Sequence, residues 1–159
     1  MISKETDVPK LNGLVLAGGK SQRMGNPKDK INWHGKAQRY YAADLLAPFC
    51  NEVFISCRQV QLENFDLNYN VLTDTFLNMA PFGGILSALR SQRDKAWLVV
   101  ACDLPLLDKK SLEFLIENRN IEKTATTYES PFDGLPEPLI TIWEPKSYPL
   151  LLNFLGSGI

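Results

Sequence analysis

Short apolar runs alternate along this chain with amphipathic stretches, and turns bearing glycine or proline separate them. Gly13 to Leu16 is the first apolar run, and it breaks at Ala17-Gly18-Gly19, which predicts a strand opening into a loop. Tyr41, Ala42, Leu45, Leu46 and Phe49 then recur at helical spacing, predicting a helix from Gln38 to Phe49 that ends near Pro48. Val53 to Cys57 reads as a short buried strand. Residues 58–70 read as a short helix and a loop, and Tyr69 to Leu72 as a strand with Asp74 just past its end. Pro81 and Gly83-Gly84 suit a turn into a helix from about Gly84 to Ser91. Ala96 to Ala101 is continuously apolar, as expected of a central parallel strand covered on both faces. Lys109 to Asn118 follows as a helix with Leu112, Leu115 and Ile116 on one face. Thr124 to Tyr128 is a strand, SPFDGLPEP a turn-rich loop, Leu139 to Trp143 a strand, and Ser147 to Leu155 the start of a helix.

This alternation predicts a three-layer α/β/α, Rossmann-like, doubly wound and mostly parallel sheet. Residues 1–10 read as a polar tail and 11–159 as one domain. Ligands of such sheets bind beyond the carboxyl ends of the strands. The segment after Leu16, Asp74 and Asp103 all fall there.

Composition removes several function classes. With 159 residues, 45% hydrophobic and 22% charged, the chain is ordinary for a globular protein with one core. A formal net charge of −1 counts against a main role in gripping nucleic acid. No apolar run approaches the roughly 20 residues of a membrane span, and the polar start MISKETDVPK is no signal peptide. The expectation is a cytoplasmic protein with no nucleic-acid or membrane partner. Cys50, Cys57 and Cys102 are odd in number and lack zinc-like pairing, so buried reduced thiols are expected.

The cations, by contrast, are concentrated in residues 20–39, and Lys20, Arg23 and Lys28 follow the first strand directly, with Ser21 and Gly25 between. A strand opening into glycines and then cations presents backbone N–H groups and positive charge to phosphate. Glycine there also lets a ligand approach the main chain closely. The segment from Leu11 to Lys28 is therefore the candidate holder of a nucleoside triphosphate. Asp103, just past the central strand, suits Mg²⁺, which takes one or two carboxylates plus substrate phosphates; a turn or N-cap aspartate is the alternative. Asp74 is a second carboxylate at that edge, able to accept from a base amino group or a ribose hydroxyl, to assist the metal, or to serve its turn. Neither GxxxxGK[ST] nor a strand-borne GxGxxG occurs. The one histidine, His34, sits beside Gly35 and reads as a turn or rim residue.

LAGGKSQRMGNPK resembles the LAGGxSxRMGxxK signature of the molybdenum cofactor guanylyltransferases, which build molybdopterin guanine dinucleotide. APFGGILSAL is similar to their GPLAGI segment, VVACDLPLL to their metal-binding VxxCDxP, and LPEPLITIWEP to their PLxAxY strand. The resemblance runs over about residues 12–155 in unbroken order. It implies a nucleotidyltransferase. Leu16, Ala17, Gly18 and Gly19 would lie along guanine and ribose, Arg23 and Lys28 would neutralise the triphosphate, and Asp74 would lie near the nucleoside. Asp103 would hold Mg²⁺, and Pro81, Gly83 and Gly84 would pack on the base side. Lys28 is preferred to Lys30 because it keeps the spacing both to Met24-Gly25 and to Gly35-Lys36.

The implied reaction joins the terminal phosphate of molybdenum-molybdopterin to GMP from GTP and releases pyrophosphate. Its nucleophile is already anionic, so screening by cations and Mg²⁺ matters more than a general base. The chain has no long apolar exposed stripe, so a monomer is the default expectation, and the resemblance implies transient contacts with molybdenum insertion proteins and apo-molybdoenzymes. Two departures stand out. Ala80 replaces a signature glycine, and the chain stops at Gly158-Ile159, where the family's Asn-containing loop and last helix are expected. The rival readings are CMP transfer to the same pterin, transfer to a sugar phosphate, and a non-catalytic nucleotide-sensing domain. The glycine pair Gly18-Gly19, where the cytidylyltransferases carry alanine and glycine, together with the Gly83-Gly84 segment, favours GTP.

Overall fold

The computed structural model of the chain describes residues 8–17, 37–58, 66–76, 82–104 and 107–156. Its strands are β1 (Leu11–Leu16), β2 (Val53–Cys57), β3 (Asn70–Thr73), β4 (Ala96–Ala101), β5 (Ala125–Glu129) and β6 (Pro136–Trp143). Its helices are α1 (Gln38–Leu46), α2 (Phe82–Ser91), α3 (Lys109–Glu117) and α4 (Ser147–Gly156). The strands form one sheet in the order β3-β2-β1-β4-β6-β5. β3, β2, β1 and β4 are mutually parallel. β6 pairs antiparallel with both β4 and β5. The expected doubly wound, mostly parallel sheet is therefore present, with one antiparallel hairpin at its edge.

Side-chain alternation builds the layers. Val15, Leu98 and Val100 face one side and pack with Ala42, Ala43 and Leu46 of α1 and Leu112 and Leu115 of α3. Leu14, Trp97 and Val99 face the other side and pack with Ile85, Leu86, Ala88 and Leu89 of α2 and Tyr148 of α4. Every residue of β4 is buried, which explains its unbroken apolar sequence.

The predicted boundaries hold with local differences. α1 stops at Leu46, and Ala47–Phe49 tighten into a 3-10 turn. Pro48 cannot donate the next helical hydrogen bond. β3 begins one residue after Tyr69, and residues 59–65 of the expected short helix lie outside the described residues. β6 begins at Pro136, inside the stretch expected to be a loop. The first register partner with β4 is Ile140, so Pro136 and Pro138 sit where the strand pairs on one side only, and a missing N–H is tolerated there. The turn joining β5 to β6 uses Gly134 at φ +70°, a conformation that disfavours a side chain.

Chain direction changes between β1 and β4. From β1 the chain steps through α1 to β2 and then β3; from β3 it crosses back through α2 to β4, on the other side of β1. Such a reversal is the switch point at which doubly wound sheets take their ligands, here at the carboxyl ends of β1 and β4.

Candidate functional site at the carboxyl edge of the sheet

β1 and β4 end in step. Leu16 is the register partner of Ala101 and of Ser56 on the flanking strands. Pairing continues one residue further: the Ala17 N–H donates to Ser56 O at 3.3 Å, and the Cys102 N–H donates to Leu16 O at 3.2 Å. Ala17 is thus buried and fixed where the chain leaves β1, and the exposed Asp103 stands two residues beyond the end of β4. The structure brings Leu16, Ala17 and Asp103 to the switch point that the sequence indicates. Gly18, Gly19, Arg23 and Lys28 lie outside the described residues, as do Lys20, Lys30, His34, Ala80, Pro81 and Pro105.

Asp74 lies at the same edge, past β3, where its N–H donates to Cys57 O at 2.9 Å. Its Oδ1 accepts from the Phe76 N–H at 2.8 Å and from Ser87 Oγ at 3.2 Å. Ser87 Oγ has one hydrogen, shared between Asp74 Oδ1 and the closer Gly83 O at 2.7 Å, and it accepts from the Thr75 N–H at 2.9 Å. The Asp74 carboxylate therefore closes the turn after β3 and clamps the first turn of α2, where negative charge is favourable. With strands about 4.8 Å apart, β3 and β4 are separated by about 14 Å. Asp74 and Asp103 thus follow strands at different places along the edge, three strand spacings apart.

Gly83 and Gly84 have a packing reason. A Cβ on Gly83 would lie 2.5 Å from Phe76 O and 2.7 Å from Asp74 Oδ2. On Gly84 it would lie 2.8 Å from both Leu16 Cδ2 and Ser56 Oγ. The pair lets α2 approach the carboxyl ends of β1 and β2 closely. Ser87 is the site-edge residue that sequence reading missed. Its signal was a lone hydroxyl in an otherwise apolar turn, four residues after Gly83.

Asp103 suits a hard divalent cation by donor type, as an exposed carboxylate at the switch point. Among the described residues no group of three or more His, Cys, Asp or Glu side chains gathers to form a protein cage. That donor set matches the Mg²⁺ mode in which substrate phosphates and water complete the shell. Cysteine chemistry is disfavoured. Cys57 and Cys102 are buried, and burial pushes the half-buried Cys50 up to about 12, far from a reactive thiolate. Among the described residues no helix is long and apolar enough to cross a membrane.

Residues 13–158 match the family model of the MobA-like NTP transferase domain. A molybdenum cofactor biosynthesis bifunctional protein of Synechocystis sp. is 39% identical over 150 residues. That match covers 94% of this chain, and the chain spans 43% of the length of that relative. The molybdenum cofactor guanylyltransferase of Pseudomonas entomophila is 28% identical over 156 residues, covering 96% of this chain and 80% of the relative. Among solved structures, molybdopterin-guanine dinucleotide biosynthesis protein A from Archaeoglobus fulgidus superposes with a TM-score of 0.72 at 22% identity, covering 93% of this chain and 74% of that one. CMP:2-keto-3-deoxy-manno-octonic acid synthetase, complexed with CTP, superposes with a TM-score of 0.68 at 10% identity, covering 91% and 78%. At these identities the structural likenesses show a shared fold.

Proposed function

The chain belongs to the MobA-like NTP transferase domain family and is a nucleotidyltransferase, and from that premise we propose that it transfers GMP from GTP to the terminal phosphate of molybdenum-molybdopterin. The observation that carries this reading is the meeting of the Leu16-Ala17 strand end with Asp103 at the switch point of the sheet. The acceptor phosphate oxygen bonds to the α-phosphorus of GTP, and the bond from that phosphorus to the β-phosphate bridging oxygen breaks, releasing pyrophosphate. Mg²⁺, held by Asp103, would supply charge neutralisation on the phosphates. Leu16, Ala17, Gly18 and Gly19 would line the nucleoside, with Asp74 toward its outer side. Arg23 and Lys28 would screen the triphosphate, which removes the repulsion between two anions that otherwise sets the barrier. No proton has to be abstracted, because the acceptor phosphate is ionised near neutral pH.

We take the protein to act as a cytoplasmic monomer that hands its product to molybdenum insertion proteins and apo-molybdoenzymes. Thermal stabilisation by GTP, CTP, ATP and UTP, each with Mg²⁺, tests the base. GTP is expected to protect most, and preferential protection by CTP overturns the guanine assignment. Pyrophosphate release on adding molybdenum-molybdopterin tests the transfer. Asp103→Asn, at an exposed position, is expected to keep the wild-type Tm and lose Mg²⁺-dependent turnover; near-normal turnover would sink the metal assignment.

A further inference from the structure

Three side chains stand in one row across the α2/α4 face of the sheet, far from the carboxyl edge. Asn12, second residue of β1, is the register partner of Trp97, and Trp97 is the register partner of Trp143 on β6. Register partners point to the same face of a pleated sheet. Trp97 belongs to the buried cluster that includes Ala88 and Tyr148, and Trp143 packs against it. Asn12 and Trp97 are both 0% exposed. The Trp97 indole also packs toward Phe54 of β2, with ring centroids 5.7 Å apart. β1 lies between those two strands, so the ring leans across the strand that carries Asn12.

Four side-chain atoms of this row are shut off from solvent and have no hydrogen-bond partner among the described residues. They are Asn12 Oδ1, Asn12 Nδ2, Trp97 Nε1 and Trp143 Nε1. Folded proteins pair nearly all such groups, and here four orphans share one register line. Their chemistry is lopsided. The amide nitrogen offers two hydrogens and each indole offers one, whereas the only acceptor is Asn12 Oδ1.

We propose that this row is a binding site for internal water, with at least one molecule bridging the Asn12 amide to the indole N–H groups. Water alone among simple occupants can both accept from these N–H donors and donate to the amide oxygen. Its oxygen accepts two of the N–H donors, and its own hydrogen is donated to Asn12 Oδ1. A cation would meet N–H hydrogens, an anion would meet Oδ1 with no buried counter-charge in the row, and an apolar group would satisfy nothing. The site lies near the amino ends of β1 and β4 and is independent of the nucleotide reading.

A crystal structure of the full chain, at a resolution that shows ordered water, is the direct test. Density is expected about 2.7–3.2 Å from an Asn12 amide atom and from at least one indole nitrogen. No such density, or a direct hydrogen bond from an indole to Asn12 Oδ1, overturns the proposal. In solution, the indole N–H of Trp97 or Trp143 should show NMR cross-relaxation to a long-lived water in the wild-type protein, and its absence at both overturns it. Asn12→Leu, close to isosteric, gives a third readout whose sign decides. Loss of the bridge should lower Tm by about 3–6 °C, whereas a dry, unpaired amide would make the same change neutral or stabilising.

Discussion

Arg119→Met is expected to be the most damaging single change outside the packed layers. Arg119 lies just past α3, and Glu144 lies between β6 and α4. Arg119 Nε donates to Glu144 Oε1 at 2.7 Å, and Nη2 donates to Glu144 Oε2 at 2.9 Å and to Pro9 O at 3.0 Å. The two side chains are 12% and 1% exposed. One guanidinium thus joins the end of α3, the lead into β1 and the β6–α4 junction. Methionine keeps much of the stem and leaves a carboxylate in the interior without its cation. The loss should be about 3–5 kcal/mol, because the stranded charge dominates over the lost contact. For a domain of this length each kcal/mol moves Tm by about 2–4 °C, so a fall of about 6–20 °C is expected. Urea unfolding at pH 7 measures it, with the midpoint moving and the m-value unchanged. Adding Glu144→Leu should recover at least half of the loss, since it removes the stranded charge. A single-variant loss below about 1 kcal/mol would place the pair with ordinary surface ion pairs and refute the reasoning, as would strict additivity in the double variant.

Two further outcomes follow from local geometry. Gly83→Ala should cost more than Gly84→Ala, because its Cβ meets a backbone carbonyl at 2.5 Å whereas that of Gly84 meets side chains that can shift; overpacking of this kind costs about 1–3 kcal/mol, and the reverse order of Tm values would contradict it. Asp108 caps α3 by accepting from the Ser111 N–H at 2.8 Å and from Ser111 Oγ at 2.7 Å. The backbone hydrogen bond first, and then the hydroxyl, hold its carboxyl below the ordinary 3.8. Because the folded value is depressed, the stabilisation is complete above the unfolded value and fades as pH falls through the folded one. The stability gap between wild type and Asp108→Ala should therefore be constant near neutrality and close in the acid range below about pH 4; a gap that persists at the lowest pH would deny the charged cap.

The parts of the fold legible in the sequence are those set by local pattern. Ala96–Ala101 reads as a central strand because a strand buried on both faces has no polar position to keep. The place of Asp103 is legible because it lies two residues past that strand, and ligands of doubly wound sheets bind beyond the carboxyl ends of the strands. The prolines of β6 misled the reading for the complementary reason: local propensity argues against strand, and only the register with β4 shows that Pro136 and Pro138 escape the cost. Asp74 was placed correctly at the edge, but its bond to Ser87 joins residues on separate elements, which no periodicity encodes. The same holds for Arg119 and Glu144, 25 residues apart in the chain.

The central place of β1 also has a kinetic consequence. Leu11 is held by Ala96 and Gly13 by Val53, so the strand that opens the chain is completed by partners from its middle and its later half. Such distant pairings pay their loop-closure entropy before any contact repays it, and folding slows accordingly. During synthesis β1 leaves the ribosome before β4, yet the sheet edge at their carboxyl ends exists only after β4 has docked. A chain interrupted before Ala101 carries β1 without that edge.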